Sequence, residues 1–248
     1  MTDTNPPRRI APQSGPQSWT ADALSPADWM VPVGAEAAAE ILASPGAGRP
    51  VLDPLLSRVV ERLTHGQGFA LLRGLPAQQD TQAVLAALGD RLGHRVRMQL
   101  GEGDILTVPA DILLLLCRES ASMTLYSAAA VHNALLKADR AALEVLYRPL
   151  PYGEDRDIPV FAVSGGVFSA WLDRAALARA VPPAALAALE AAMAAPGLAL
   201  SLPLRPGDVL CVNPFLVWAS RVPGLEMLAL RVPGDSRLSE GAFAMLGE

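Results

Sequence analysis

Histidine and cysteine, two side chains that often hold transition metals, are scarce in this chain of 248 residues, which has three histidines and two cysteines. His65, His94 and His132 stand far apart, and none belongs to an HxH, HxD, HxE or HExxH pattern. Cys117 and Cys211 lie within apolar runs, which is typical of buried thiols rather than of a disulfide framework or a zinc knuckle. We therefore expect no structural zinc.

Basic charge is also limited. Lys and Arg number 20 against 25 Asp and Glu, which gives a formal net charge of −5 and an isoelectric point near 5.3. Because there is no basic stripe to displace counterions, we expect neither a nucleic-acid partner nor binding to an anionic membrane.

Long apolar runs and targeting segments are missing as well. The most apolar late stretch contains Glu190 and is interrupted by Pro196, which indicates a helix followed by a strand rather than a membrane span. The N-terminal stretch is rich in Pro, Ser and Thr and lacks the apolar region of a signal peptide. We predict a cytoplasmic protein with a flexible tail over residues 1–30 and one domain over residues 31–248.

The periodicity of the apolar residues predicts an α+β protein. DPLLSRVVERLTHG and TQAVLAALGDRLG have the spacing of amphipathic helices. GFALLRGLP and DILLLLCR read as buried strands, and IPVFAV and GGVFSAWL as two strands around a Gly-Gly turn. YSAAAVHNALLKADRAALEVL moves from strand into helix, with Asp139 as the N-cap of its second helical part. LALSLPL, DVLCVNPFLVWAS and GLEMLALRV are three closing strands, and the strands together suggest a jelly roll.

Six segments resemble, in order, motifs of the TauD/TfdA, or clavaminate-synthase-like, family of iron(II)/2-oxoglutarate oxygenases. They are HGQGFALLRGLP, LGHRVRMQLGEGDILTV, DILLLLCRESA, SAAAVHNALL with LEVLYRPLPY, IPVFAV, and RPGDVLCVNPFLVWASRV. The resemblance covers roughly residues 50–232. It implies a double-stranded β-helix, that is a cupin-like jelly-roll core with flanking helices.

The resemblance also implies where iron ligands would stand. Members of the family hold Fe(II) with HxD or HxE on one strand and a distal His on a later strand. Laid on this pattern, the HxD positions fall on Leu106 and Val108, and the distal His position falls on Ala219. Since these side chains have no lone pair, the chain is expected to be a divergent member without the iron triad, with no metal and no cofactor.

Other family positions remain and suggest a carboxylate site. Arg231 falls near the Arg that pairs with 2-oxoglutarate in the family, Arg221 follows the lost His at its usual spacing, and Gln99 matches a Gln at the pocket edge. With Trp218 they form the predicted substrate-binding set. The alternative is that they persist as structural hydrogen bonds and ion pairs.

General acid or base work is assigned to three side chains: Asp111, Tyr126 and Glu102. A structural role is favoured for His132, at the start of a packing helix. A noncanonical iron site built from His132, Asp111 and Glu119 is the competing interpretation of that histidine.

Three functional hypotheses follow. The main one is a metal-independent, non-oxidative isomerase, cyclase or lyase acting on a small carboxylate or amino-acid-derived metabolite in specialised metabolism. The second is a non-catalytic partner subunit or binding protein of an active relative, or a homodimer; association with another biosynthetic protein is also left open. The third is an iron/2-oxoglutarate oxygenase with unorthodox ligands.

Overall fold

The computed structural model describes residues 10–43, 48–76, 80–98, 100–153, 155–233 and 236–247. The helices in these ranges are α1 (Pro26–Trp29), α2 (Ala35–Leu42), α3 (Leu52–Thr64), α4 (Thr81–Leu92), α5 (Ala128–Ala138), α6 (Arg140–Leu146), α7 (Arg174–Ala180) and α8 (Pro183–Met193). The strands are β1 (Met30–Pro32), β2 (Phe69–Arg73), β3 (His94–Arg95), β4 (Ile112–Cys117), β5 (Ala121–Ser127), β6 (Leu150–Tyr152), β7 (Arg156–Ile158), β8 (Phe161–Ser164), β9 (Val167–Ala170), β10 (Ala199–Leu204), β11 (Val209–Val212), β12 (Val217–Ala219) and β13 (Leu225–Arg231). None of these helices is long and apolar enough to cross a membrane.

Two larger sheets share one apolar cluster, so the prediction of a mixed α and β protein is confirmed. The six-stranded sheet has the order β1-β2-β11-β4-β13-β3, and the three-stranded sheet has the order β10-β5-β12. The paired strands are antiparallel except β1 and β2. The inner faces of both sheets contribute side chains to the same cluster, while β6–β7 and β8–β9 form separate hairpins.

The six-stranded sheet is buried on both faces, as β4 illustrates. Leu113 and Leu115 face the cluster shared with the three-stranded sheet. Ile112, Leu114 and Leu116 face a second cluster made with α2, α3 and α4. A strand that is covered on both sides has no polar face, which is why the continuous apolar run around this strand correctly predicts a buried element.

The stretch predicted as one strand from DVLCVNPFLVWAS is instead two strands in different sheets. Pro214 has no N–H to donate to a ladder. Asn213 closes the turn, since its backbone oxygen accepts from Leu216 N at 3.0 Å and its side-chain oxygen accepts from Phe215 N at 3.0 Å. The chain therefore leaves β11 in the six-stranded sheet and enters β12 in the three-stranded sheet.

The flexible tail predicted for residues 1–30 differs from the structure where the chain is described. Trp19 is 4% exposed, and its indole N–H donates to Gln67 O at 2.8 Å. The rings of Trp19 and Trp29 lie 5.3 and 6.4 Å from the ring of Phe69. Large aromatic side chains gain enough from burial to order a Pro- and Ser-rich segment. Residues 1–9 of the predicted tail lie outside the described ranges.

His132 lies inside the shared cluster and is fully buried. Its Nε2 is 2.9 Å from the Tyr147 hydroxyl, and its Nδ1 is 3.2 Å from Asn133 Oδ1. The rings of Phe161 and Phe168 meet the imidazole nearly at right angles. Burial among these rings lowers the pKa of His132, with the Asn133 hydrogen bond opposing that shift. The imidazole is thus held neutral by packing, consistent with the structural role favoured from the sequence.

One ion pair connects the ends of β2, β10 and β11. Arg73, at the end of β2, donates from Nε and Nη2 to the Asp208 carboxylate, with the shortest contact at 2.6 Å. The same carboxylate accepts from Arg205 N, and Arg73 Nη2 also donates to Pro203 O. The side chain of Asp208 is 3% exposed, so this bidentate pair fixes the turn between β10 and β11 in a partly desolvated setting.

We predict that Asp208→Asn lowers the free energy of unfolding by about 2–4 kcal/mol, because it leaves the guanidinium without its buried anion. Urea unfolding followed by circular dichroism measures the change. The matched control is Asp90→Asn, whose pair with Arg95 has both partners at least half exposed; it should change stability by less than about 0.5 kcal/mol. Equal effects of the two variants would contradict a special role for the Asp208 pair.

We also predict that part of the stability is lost on acidification through His132. Its pKa is lowered in the folded state, so below about pH 6.5 the unfolded chain binds a proton that the folded chain does not, and stability falls as pH falls. Urea unfolding at about pH 7.5 and about pH 5.5 should show a decline that is smaller in His132→Gln, by on the order of 1 kcal/mol. The exposed His94 provides the control His94→Gln, which should keep the wild-type decline. An unchanged decline in His132→Gln would show that other groups cause it.

Candidate functional site

Two of the positions assigned to iron ligands pair directly, and the third is buried in the same apolar cluster. The segment from Ile105 lies antiparallel to β12: Ile105 bridges Ser220, and Leu106 N donates to Ala219 O at 2.8 Å. This register places Leu106 directly opposite Ala219, with both side chains on the same face. Val108, two residues further on, belongs to the same buried cluster. The three residues are 7%, 3% and 0% exposed, in the order Leu106, Ala219 and Val108.

Three neighbouring positions on this face, on β5 and β10, are apolar, while the polar Ser127, two residues after Leu125, is also buried. Leu125 on β5 pairs with Ala219, and Met123, two residues earlier, pairs with Leu202 on β10. These three neighbours are fully buried or nearly so. Leu, Val and Ala side chains present no donor atom to a hard divalent cation, so the residues at the assigned positions do not fit iron.

The remaining donors of the described ranges do not assemble a metal site either. No group of three or more His, Cys, Asp or Glu side chains in these ranges is placed to hold a metal ion; this covers the alternative set of His132, Asp111 and Glu119. Burial raises the pKa of the Cys117 thiol, whose Sγ donates to Glu119 O at 2.8 Å. Burial likewise raises the pKa of Cys211 to about 12.

The three predicted acid or base residues lie in separate surroundings. Asp111 is 5% exposed, and its carboxylate accepts from Val232 N at 2.9 Å and from Ser236 Oγ at 3.0 Å. It therefore anchors the C-terminal segment to the start of β4. Tyr126 is half-buried on the face of β5 opposite Leu125, and Glu102 is exposed in a bend. Their catalytic assignment stays a prediction.

The predicted substrate-binding residues that the structure describes contact different parts of the chain. Arg231 donates from Nη2 to Gly247 O at 3.0 Å, and its Nε is buried without a partner in the described part of the chain. Arg221 is exposed and donates to Gly101 O. Trp218 is buried with its ring 5.8 Å from that of Phe161, on the face of β12 opposite Ala219. Gln99 lies outside the described residues.

A second feature, a groove of about 460 Å³ with both polar and apolar lining, was not anticipated from the sequence. One wall is the β8–β9 hairpin, and the other is the C-terminal segment from residue 236 to residue 243. Arg237 Nε donates to Ser169 Oγ at 2.7 Å across the groove. No local motif marks this site, because its walls come from segments that are distant in sequence.

Comparison with solved structures finds similar chains at low sequence identity. Asparagine oxygenase (AsnO) matches with a TM-score of 0.55 and 16% identity over 82% of this chain and 93% of that chain. The non-heme iron oxygenase OrfP, in complex with Fe and L-Arg, matches with a TM-score of 0.52 and 17% identity over 85% and 95%. PvcB, an Fe, alpha-ketoglutarate dependent oxygenase from an isonitrile synthetic pathway, matches with a TM-score of 0.51 and 16% identity over 74% and 83%. No family model and no curated protein matches the sequence.

These matches contradict the main functional hypothesis from the sequence. The sequence predicted a metal-independent, non-oxidative isomerase, cyclase or lyase. The structural neighbours are instead iron-dependent oxygenases. That hypothesis is therefore wrong in its main form, and the alternatives remain. What the matches establish is that the chain has the fold of the TauD, or clavaminate-synthase-like, iron/2-oxoglutarate oxygenases.

Proposed function

We propose that this protein is a non-catalytic homologue of the iron/2-oxoglutarate oxygenases, acting as a partner subunit or binding protein of an active relative. The observation that carries the proposal is the direct pairing of Leu106 with Ala219 in the buried cluster that also contains Val108. In this proposal the three residues occupy the positions of the iron ligands. Their replacement by apolar side chains removes the metal-binding chemistry and leaves the scaffold.

The proposal includes a double-stranded β-helix as the core. Two sheets enclose one apolar cluster, and the chain changes sheet between β11 and β12. The segment from Asp104 to Leu106 adds a fourth antiparallel element beside β12. A core of two facing antiparallel sheets with strands that alternate between them is the arrangement of a jelly roll.

A second candidate is an iron/2-oxoglutarate oxygenase with unorthodox ligands. It is favoured by the identity of the structural neighbours, which are Fe oxygenases of amino acids in the cases of AsnO and the OrfP complex with L-Arg. This candidate requires ligands other than Leu106, Val108 and Ala219. The fold alone does not decide between the two, because function depends on the residues of the site.

Metal and co-substrate binding separate the two candidates. The purified full-length chain is loaded anaerobically with Fe(II), its iron content is measured, and 2-oxoglutarate is titrated by calorimetry with and without the metal. The non-catalytic proposal predicts less than stoichiometric iron and no succinate formed in the presence of L-Asn or L-Arg. Stoichiometric iron with 2-oxoglutarate-dependent succinate formation would overturn it in favour of the second candidate.

We predict that Leu106→His, Val108→Asp and Ala219→His together create a divalent metal site. If the three positions are those of the ligands, the triple variant supplies two imidazoles and a carboxylate to one point. Co(II) titration followed by visible absorption should show binding at least about 100-fold tighter than in the wild type.

The double variants, each lacking one of the three changes, are the matched controls and should bind Co(II) more weakly than the triple variant. Circular dichroism checks that each variant is folded. A folded triple variant that binds Co(II) no better than the wild type would contradict the assignment of these positions.

A further inference from the structure

We infer that residues 13–19 form an autoinhibitory strap over a peptide-docking surface at the start of α5. This surface binds an extended polypeptide segment that carries a tryptophan, and the chain's own segment occupies it until that segment is displaced. Docking of such a segment does not depend on whether iron binds, so the inference goes beyond both candidate functions.

An asparagine on α5 recognises the backbone of the strap. Asn133 Oδ1 accepts from Gln13 N at 2.7 Å, and Asn133 Nδ2 donates to Gln13 O at 2.8 Å. A side-chain amide that contacts both the N–H and the C=O of one residue reproduces the pairing of two β-strands. Main-chain contacts of this kind hold an extended peptide whatever its side chains are.

Two further hydrogen bonds come from the same end of α5. Ser127, the N-cap of the helix, donates from Oγ to Gln17 O at 2.5 Å. Asn133 Nδ2 also donates to Ser18 Oγ at 3.0 Å. Between these contacts the strap makes a turn, in which Ser18 N donates to Gly15 O at 3.0 Å. The start of α5 therefore contacts the strap at several points along its length.

Trp19 is the apolar anchor of the strap. It is 4% exposed, its indole N–H donates to Gln67 O at 2.8 Å, and its ring lies 5.3 Å from that of Phe69. One buried aromatic side chain beside mainly backbone contacts is the pattern of a docked peptide, in which a few residues supply most of the binding energy. The exposed residues of the segment are Ala11, Pro12, Ser14, Gly15 and Pro16.

The strap is built to separate from the surface without unfolding of the domain. Residues 10–19 include no charged side chain, so no side-chain ion pair holds them. The backbone of Thr20, Leu24 and Ser25, which connects the strap to α1, is extended. Six connecting residues reach up to about 20 Å. Segments with few buried apolar contacts open at a lower free-energy cost than the whole fold.

A tethered strap competes strongly with a segment from another molecule. A short connection gives the strap an effective concentration in the mM range at its own docking surface. A second segment therefore binds the wild type more weakly than it binds a variant whose strap is weakened. This difference separates an occupied docking surface from an ordinary packed terminal segment.

A fluorescent peptide with the sequence of residues 10–24 tests the inference on the full-length chain. Fluorescence anisotropy should show binding to Trp19→Ala with a dissociation constant below about 1 mM, and binding to the wild type at least about tenfold weaker. A peptide with alanine in place of the tryptophan should bind Trp19→Ala at least about tenfold more weakly. No binding to folded Trp19→Ala would overturn the docking surface, and equal binding to the wild type would overturn its occupation by the strap.

A second strap variant guards against misfolding of Trp19→Ala. Gln13→Pro removes the N–H that donates to Asn133 and leaves the tryptophan in place. It should bind the peptide at least about threefold more tightly than the wild type does, since the strap loses a hydrogen bond. Binding no tighter than that of the wild type would overturn the strap, whether or not Trp19→Ala folds.

Two double variants locate the docking surface, with circular dichroism as the check that each is folded. Asn133→Ala added to Trp19→Ala should weaken peptide binding at least about tenfold, because both contacts to the peptide main chain are lost. Arg179→Ala added to Trp19→Ala changes an exposed residue on α7 and should bind like Trp19→Ala alone. Unchanged affinity in the folded Asn133→Ala double variant would overturn the location.

Discussion

Each central strand of the six-stranded sheet must supply apolar side chains to two separate clusters, and the arrangement of the polar groups depends on this constraint. On β4, Leu113 and Leu115 serve one cluster while Leu114 and Leu116 serve the other. The two thiols follow the same alternation, since Cys117 belongs to the first cluster and Cys211 to the second; they cannot form a disulfide through the sheet. Because both faces of these strands are covered by apolar side chains, charged groups lie at the strand ends. One example is the bidentate pair of Arg73 with Asp208. Another is Asp111, whose carboxylate accepts hydrogen bonds from Val232 N and Ser236 Oγ.

Features that depend on neighbouring residues in the sequence were predictable. The Gly-Gly turn lies between β8 and β9, and Asp139 caps α6 by accepting from Ala142 N at 2.9 Å, because turns and caps are made by side chains a few positions apart. The ordered packing of Trp19 was not predictable from local composition. Its partners, Gln67 and Phe69, come from a distant part of the chain, and a Pro- and Ser-rich segment carries no signal that such a pocket exists.

The same distinction holds for the sites. The order of motifs assigned Leu106 and Ala219 to one function, and their direct pairing across two strands is a property that only the folded chain displays. No sequence pattern predicted the groove. Ser169 and Arg237 meet through a single side-chain bond between segments that are distant in sequence, and neither residue stands in a recognisable pattern. Arg221 and Arg231 belong to one predicted substrate-binding set, whereas in the structure each donates to a different backbone carbonyl.

Under the proposed function no metal is bound, and the apolar inner face then follows from energetics. Imidazole and carboxylate groups can be buried in an iron site because the cation and neighbouring hydrogen bonds satisfy them. Without the cation, each buried group would lack a partner, which costs about 1–3 kcal/mol or more in the free energy of folding. Replacement by Leu, Val and Ala removes that penalty and lets the face pack against Leu125 and Met123. Under the proposed function, the gain in folding stability is sufficient to explain the three apolar residues. These residues then give no information about a bound ligand.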